Sequence, residues 1–297
     1  MQPIASAIIV TYQSRSTIEA TLNALQALLT EGELEVIVVD NTSTDGTPAF
    51  IKENFPSVHL IESDRNLGFG NACNLAAKEA ASPYLVFINP DAVLKKDALE
   101  HLVRFMDERP RVGICAPAIL HQHAGGLETP QNIIRKALHL PSDKSRREMT
   151  LGAEPFETDW LCGAVYLIRT SLFQELGGFD PRFFMYFEET DLCLRASQAG
   201  FEIWAVQSAV AEHEGGVSAK QTKMATQWGA VSKYFFESRY YYLCKHHGRV
   251  AASTAETIDL LPVVARAIAN KLGLRKDGIS TLKSRLAGGY LKQPEES

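Results

Sequence analysis

Cysteine is scarce and unpatterned. Cys73, Cys115, Cys162, Cys193 and Cys244 are odd in number, scattered, and contain no C-x-x-C pair. That excludes a disulfide framework and a thiolate metal cluster, and all five read as buried thiols. Long hydrophobic runs are missing as well: no stretch reaches the ~18 uncharged apolar residues of a membrane-spanning helix. Met1-Gln2-Pro3-Ile4 puts no basic segment ahead of an apolar one, so the expected location is the cytoplasm. Repeats and low-complexity tracts are absent. What is present is the composition of an ordinary globular protein, with 297 residues, 45% hydrophobic and 22% charged. Disorder, collagen and coiled coil are excluded, and the length suffices for one large α/β domain with extensions or two modest domains.

The net charge of -5 hides an asymmetry. Residues 1–219 carry 17 Lys/Arg against 29 Asp/Glu, whereas residues 220–292 carry 13 against 4. A basic C-terminal quarter on an acidic body points to an anionic partner, a membrane surface or a polyphosphate.

The first 116 residues alternate β-rich apolar runs with helical patterns, the signature of βαβ units and a mostly parallel sheet. Strands are expected over 5–12, 34–39, 58–61, 84–88 and 112–116. Ser16-Thr17-Ile18-Glu19 reads as a capping box ahead of Ile18, Leu22, Leu25, Leu28 and Leu29 at helical spacing. Thr47-Pro48 opens the next helix with a cap and a proline in the first turn. Residues 117–157 are polar and include the basic run Arg135, Lys136, Lys144, Arg146, Arg147; a loop of that length in a domain is functional or mobile. A strand over 160–168, a short helix, the Gly177-Gly178-Phe179-Asp180 turn, a helix near 190–199 and a strand over 202–206 follow. From Gln221 onward the pattern is helical and basic.

In an open α/β sheet, ligands bind beyond the carboxyl ends of the strands. Here those ends carry Thr11-Tyr12, then Asp40-Asn41 leading to Asp45-Gly46, then Asn89-Pro90-Asp91. No glycine follows the first strand and no Walker sequence occurs, so a Rossmann dehydrogenase and a P-loop are disfavoured. An edge bearing Asp40, Asp45 and Asp91 suits a nucleotide held partly through a divalent cation. Asp40 can accept from a pyrimidine N3–H, or it can serve an Asx turn.

Six ordered motifs over residues 5–248 make the chain resemble the inverting glycosyltransferases of family 2, and among them the rhamnosyltransferase-like bacterial members. They are Ile9-Val10-Thr11-Tyr12, the segment Val38 to Gly46, Asn66-Leu67-Gly68-Phe69-Gly70-Asn71-Ala72-Cys73-Asn74, Asn89-Pro90-Asp91, Gly177-Gly178-Phe179-Asp180, and Tyr186-Phe187-Glu188-Glu189-Thr190-Asp191-Leu192. The resemblance implies the GT-A fold: a mostly parallel central sheet flanked by helices, with residues 1–220 catalytic, divided into a nucleotide-sugar half (1–116) and an acceptor half (117–220). Residues 221–297 form a helical basic extension.

By that resemblance Thr11, Tyr12, Asp40, Asn41 and Asp45 contact the nucleotide, and Asn66, Gly68, Phe69 and Asn71 lead into a helix facing the diphosphate, where plain helix entry is the competing account. Asn89 and Asp91 stand at the family's metal motif, with Asn where an acid is common, and His213 matches the histidine that completes the site in several members; Mg²⁺ or Mn²⁺ is implied. Glu189 aligns with the base that deprotonates the acceptor, with Glu in place of Asp. Glu188 orients it or meets the acceptor, and Asp191 is structural or acceptor-binding, since Arg195 lies at i+4. Trp160 and Gly163 belong to the acceptor-side segment, where core packing explains the indole equally well.

The expected activity is metal-dependent, inverting transfer of a sugar, L-rhamnose from dTDP-rhamnose first, to a hydroxyl of a saccharide or lipid-linked glycan. A UDP-sugar donor, a nucleotidyltransferase or hydrolase, and a non-catalytic nucleotide-sugar scaffold are the alternatives. The basic end is read as packing over 221–245 and as a contact with an anionic membrane surface over 258–292, peripheral on the inner face of the cytoplasmic membrane. No nucleic-acid motif is present.

Overall fold

Runs of β-branched and aromatic residues form the strands close to where the pattern places them. The computed structural model describes residues 2–95, 97–119, 123–141, 147–213 and 228–272. Strands β1 (Ala5–Thr11), β2 (Leu34–Asp40), β3 (His59–Glu62) and β4 (Tyr84–Ile88) line up in parallel in the order β3-β2-β1-β4. β1 and β4 are buried at every position, as central parallel strands covered on both faces must be. The crossovers are α1 (Ile18–Glu31), α2 (Thr47–Asn54) and α3 (Phe69–Ala77).

Beyond β4 the order continues β10-β6-β11-β5, from β5 (Ala92–Leu94), β6 (Val112–Ile119), β10 (Val165–Arg169) and β11 (Glu202–His213). β6 and β11 are parallel, whereas β10 runs antiparallel to both β4 and β6, and β5 and β9 (Phe156–Glu157) run antiparallel to β11. The sheet is therefore mixed, with its parallel half at the amino-terminal side. One face packs on α1, α2 and α4 (Ala98–Asp107) through Ile18, Leu22, Leu25, Ile51, Leu99 and Leu102. The other packs on α3, α6 (Thr170–Glu175) and α7 (Glu188–Gln198) through Cys73, Ala76, Phe173, Leu192 and Ala196. The reversed strand β10 is fastened by Arg169, whose guanidinium donates to the Val112, Met106 and Arg109 carbonyls, consuming acceptors that the end of α4 leaves open.

Several local expectations change. α1 starts at Ile18 with Thr17 at the N-cap and no side-chain bond from that cap, so the Ser16–Glu19 box does not form; the Ser14 carbonyl instead accepts from the Thr17 and Ile18 N–H groups. α2 is capped by Gly46 in the left-handed region, and the cap oxygen comes from Asp45, not Thr47. The strand expected over 160–168 begins at Val165, and β11 runs on to His213. The long polar segment holds β9, a two-stranded ribbon of β7 (His123–Ala124) and β8 (Arg147–Glu148), and the helix α5 (Pro130–Ala137). Lys144 and Arg146 lie outside the described residues. Cys73, Cys115 and Cys193 are buried thiols, while Cys162 and Cys244 are half-buried. Burial pushes Cys162 up to about 11 and Cys193 up to about 12, so these two are inert at neutral pH.

The chain divides into two compact units, and the division is not a single cut near residue 220. The second unit draws on 127–141, 185–187 and 228–272 of the described residues, and the rest forms the first. In the second unit α8 (Trp228–His247) and α9 (Arg249–Lys271) pack together with α5. Phe236, Tyr241, Tyr242 and Leu243 are buried, which agrees with a packing role for this part of α8. Phe235 and Tyr242 receive the Phe187 ring at 5.3 and 5.4 Å, and Ser238 donates to the Met185 carbonyl. Arg239 bridges the helices, donating to Glu256 at 2.6 Å and to Asp259 at 2.8 Å, all three groups shielded from water. The Arg239→Leu substitution takes the guanidinium from the buried Glu256 carboxylate, and urea denaturation should report a loss of about 3–5 kcal/mol, against under ~1 kcal/mol if water reaches the acid.

Candidate active site

The carboxyl ends of β1 and β2 are stitched together by their own polar residues. Thr11 at the end of β1 donates to Asp40 Oδ1 at 2.8 Å, and the Ser43 N–H donates to Asp40 Oδ2 at 2.7 Å. Asp40 is 1% exposed, so this carboxylate organises the 41–46 turn. Asn41 is clasped both ways to the next loop: its amide donates to the Gly68 carbonyl and accepts from the Leu67 N–H. Asp45 accepts from Thr47 N, Thr47 Oγ1 and Arg15 N; these bonds hold its carboxyl below the ordinary value against the opposing effect of partial burial. These three residues shape the edge, while Tyr12 follows β1 half-buried.

The 66–74 motif is bound to the 178–184 segment. Asn66 accepts from the Gly68 N–H, and Gly68 sits at φ 77° with a Cβ position only 2.2 Å from the Phe184 carbonyl oxygen, so no side chain fits there. The Phe69 N–H donates to that same oxygen, and its ring meets Phe179 edge-on at 6.1 Å. Asn71 donates to the Leu67 and Pro181 carbonyls. Asn74 closes the clasp, donating to the Phe179 carbonyl and accepting from the Phe179 N–H. Asp191 does not join its acidic neighbours. It is fully buried and accepts from Arg195 at 2.7 Å, and the same guanidinium donates to the Leu176 and Gly178 carbonyls. This is the structural reading of Asp191.

At the end of β4 and the end of β11, Asn89, Asp91 and His213 converge. His213 Nε2 lies 3.1 Å from Asp91 Oδ1 and 3.4 Å from the Asn89 amide. The Asn89 N–H donates to the Ala164 carbonyl, which ties this corner to the segment entering β10. In that segment Gly163 lies against Glu189: a Cβ there would meet the Glu189 side chain at 3.4 Å. Trp160 pairs with Gly125 and is half-buried.

The acid pair opens α7. Glu188 is buried, Glu189 half-buried, and the Oε2 atom of each is shut off from solvent with no hydrogen-bond partner. Burial, followed by repulsion from Glu189, pushes the Glu188 carboxyl well above its ordinary value. Burial also raises Glu189, opposed by N–H groups of its own first turn and by the nearby Trp160 indole, whose Nε1–H makes no bond of normal geometry. Both carboxyls are thus held above the ordinary carboxylate value, Glu188 well above it.

The Glycosyl transferase family 2 model matches residues 6–177. The chain belongs to that family. It is 30% identical over 236 residues to an N-acetylglucosaminyl-diphospho-decaprenol L-rhamnosyltransferase of Mycobacterium tuberculosis, covering 72% of this chain and 76% of the relative. It is 26% identical over 197 residues to a dTDP-rhamnosyl transferase of Shigella flexneri, covering 65% and 63%. Among solved structures, a mannosyltransferase from Pyrobaculum calidifontis in complex with GDP-Man and Mn²⁺ superposes with a TM-score of 0.55 at 18% identity, covering 98% of this chain and 85% of that one. The fold is GT-A, and this family 2 glycosyltransferase is similar to enzymes of polysaccharide synthesis. Membership displaces the nucleotidyltransferase, hydrolase and scaffold readings.

Tyr166 is the site neighbour that sequence reasoning passes over. Val165-Tyr166-Leu167-Ile168 reads as a buried strand, and the hydroxyl is its sole polar signal. The folded state holds the acid pair's proton more tightly than the unfolded chain does. The pair therefore costs stability progressively as pH climbs from the unfolded carboxylate range, about 4.3, through the raised folded value. Glu188→Gln should stabilise this glycosyltransferase by about 0.5–2 kcal/mol at pH 7.5 and by much less at pH 4. Equal thermal shifts at the two pH values would show that the pair is not held protonated by the fold.

Proposed function

We propose that the protein is an inverting, metal-dependent glycosyltransferase moving L-rhamnose from dTDP-L-rhamnose to a hydroxyl of a saccharide or lipid-linked glycan in cell-surface polysaccharide synthesis. The observation that carries this reading is one chain of contacts: the buried Glu188–Glu189 pair against Gly163, and Ala164 bonded to Asn89 of the Asn89–Asp91–His213 corner. This supports reading Glu189 as the base and the corner as a cation-binding edge, joined by one short segment. Similarity to rhamnosyltransferases supports the donor sugar, and UDP-sugars are the competing donors.

The corner fits a divalent cation. Among the described residues no three His, Cys, Asp or Glu side chains converge, so the donor set is one carboxylate, one imidazole and the Asn89 amide. The 3.1 Å between His213 Nε2 and Asp91 Oδ1 is close to the spacing of neighbouring ligands, about 3 Å, in an octahedron with bonds of about 2.1 Å. One ring nitrogen cannot donate to Asp91 and accept from Asn89 at once, whereas all three groups can face a cation together. Imidazole favours Mn²⁺ over Mg²⁺. When bound, the cation supplies charge neutralisation of the leaving diphosphate.

The residues divide the rest of the work. Glu189 takes the proton of the acceptor hydroxyl as that oxygen bonds to the anomeric carbon from the face opposite the diphosphate. The bond from that carbon to the diphosphate oxygen breaks with its electron pair, and the configuration inverts. Glu188 orients Glu189 or meets the acceptor. Tyr12 takes the base and ribose edge, with the buried Thr11 and Asp40 holding the turns that shape it, and Trp160 takes the acceptor side.

Calorimetric titration with dTDP-rhamnose, UDP-glucose, UDP-N-acetylglucosamine and GDP-mannose, with and without Mn²⁺, tests the assignment. One donor should bind only with metal, and Asp91→Ala should abolish that binding. Glu189→Gln should bind the donor as wild type does yet lose transfer by ~10²-fold or more. Unaltered transfer in Glu189→Gln would remove it as the base.

A membrane contact is the second proposal, and α9 supports it. Val250, Leu261, Ile268 and Leu272 are exposed and fall on one stripe of the helix. The sequence then carries Arg275, Lys276, Lys283, Arg285 and Lys292, which lie outside the described residues. Among the described residues no helix is long and apolar enough to cross a membrane, so the contact proposed is peripheral. Leu261→Glu with Ile268→Glu should release the full chain from vesicles of phosphatidylglycerol in a sedimentation assay; equal binding would end the idea.

A further inference from the structure

Tyr186 and Phe187 hold a backbone state that bulky L-residues avoid. Their φ angles are 68° and 69°, and among the described residues no other two consecutive non-glycine residues have positive φ. Strain of this kind lasts only where surrounding contacts over-determine it. Here those contacts come from one face of α8, at Phe235, Ser238 and Tyr242, spaced i, i+3 and i+7. The Phe235 ring meets Tyr186 edge-on at 5.8 Å and Phe187 at 5.3 Å, and Tyr242 meets Phe187 at 5.4 Å. Ser238, 6% exposed, donates its hydroxyl to the Met185 carbonyl at 2.8 Å. A helical serine or threonine can instead bond the carbonyl four residues back, as Thr254 and Thr257 do on α9. Ser238 directs its hydroxyl outside its own helix, onto the residue that precedes the strained pair.

We propose that Ser238 is a positioning residue for the acid pair: by holding the Met185 carbonyl it keeps the Tyr186–Phe187 bend left-handed, and the bend sets where the first turn of α7 begins. The idea rests on the reading of Glu189 as the base. Glu188 follows Phe187 directly and is the first residue of α7, so no flexible residue lies between bend and helix. Upstream the chain is pinned where the Phe184 carbonyl accepts the Phe69 N–H. Three residues, 185–187, separate that bond from α7. Ser238 holds the first by its carbonyl, and Phe235 and Tyr242 hold the other two by their rings. Relaxation of the bend to ordinary negative φ would turn two consecutive residues by more than roughly 100° each. Everything after them would swing, and Glu188 and Glu189 would leave their places beside Gly70 and Gly163. Helix packing alone would be served by alanine at position 238, the better helix former. The hydroxyl is what the bend requires.

The test is amide hydrogen exchange and turnover in the full chain carrying Ser238→Ala. In an α-helix starting at Glu188 the Leu192 and Cys193 N–H groups bond to the Glu188 and Glu189 carbonyls, so their exchange reports whether the first turn is held. Both should exchange about fivefold faster in Ser238→Ala, with the amides of β1 and β4 unchanged. Release of dTDP from dTDP-rhamnose, with Mn²⁺ and water as the acceptor, should show kcat lowered about tenfold and the donor KM held within about twofold. A second pair of variants reads the strain itself: Tyr186→Gly should melt above Tyr186→Ala, because glycine adopts positive φ without a steric penalty. Exchange at Leu192 and Cys193 within about twofold of wild type, or an unaltered kcat, would overturn the proposal. So would faster exchange spread over β1 and β4, the mark of a general loss of stability. Tyr186→Ala melting above Tyr186→Gly would overturn it as well, since no strained bend would then need holding. Glu189→Gln separates this from the parent reading. A silent Glu189→Gln beside an unaltered Ser238→Ala defeats only the serine's role, whereas an active Glu189→Gln defeats the base itself and the serine's role with it.

Discussion

Two carboxylates in consecutive positions cannot both stay charged once they leave water, and the surroundings of α7 are built around that constraint. Glu188 and Glu189 are carried inward because α7 begins where its first turn faces the sheet through Leu192, Cys193 and Ala196. Gly70 lies beside Glu188 and Gly163 beside Glu189, and a Cβ at either would meet the acid in ordinary van der Waals contact. Burial then acts unequally, because Glu189 keeps N–H groups of its own turn while Glu188 meets chiefly the charge beside it. Both acids are raised, Glu188 well above its ordinary value.

The polar motifs around the pair are scaffolding more than contact points. Asn74 ties α3 to Phe179, Asn71 reaches Pro181, and the Asp191–Arg195 pair closes on the Gly178 carbonyl from the other side. These bonds set where α7 starts, and so where its first two side chains go. Asn41 does the same between the β2 edge and Gly68. A displacement in any of these loops is passed to the acids through backbone, not through a flexible side chain, which suits a reaction needing a base within hydrogen-bond reach of its proton.

Much of this was legible from residues alone, for reasons that differ by element. The βαβ half reads plainly because β1, β2 and β4 are unbroken Val/Ile/Leu runs and α1 repeats its apolar residues at helical spacing. The Asn89–Asp91–His213 convergence required the resemblance to a family, since 122 residues separate the histidine from the aspartate and only the pairing of β11 with β5 closes that distance. β5 itself escapes notice because three residues carry no periodicity. The capping box failed because the Ser14 carbonyl captures the first N–H groups of α1 before Ser16 can serve as cap. Asp45 and Asp191 were read as ligands or as structure with equal justification; a carboxylate's partners are set by folds of the chain that local spacing does not encode.

Buried polarity in the first unit comes in two kinds, and the contrast marks the site more sharply than any single residue. Asp40, Asn41, Arg169 and Asp191 are each engaged by partners on neighbouring elements, so their desolvation is offset within the fold. Trp160, Tyr166, Glu188 and Glu189 each present a buried atom with nothing to bond, and among the described residues of this unit the solitary Thr21 hydroxyl on α1 is the other such atom. The unsatisfied atoms of this unit thus fall mostly on Trp160, on β10 and at the start of α7, while polar groups elsewhere find partners. Of the four, Glu189 lies against Gly163, and the next residue, Ala164, accepts from the Asn89 N–H, so one short segment joins the acid pair to the Asn89–Asp91–His213 corner.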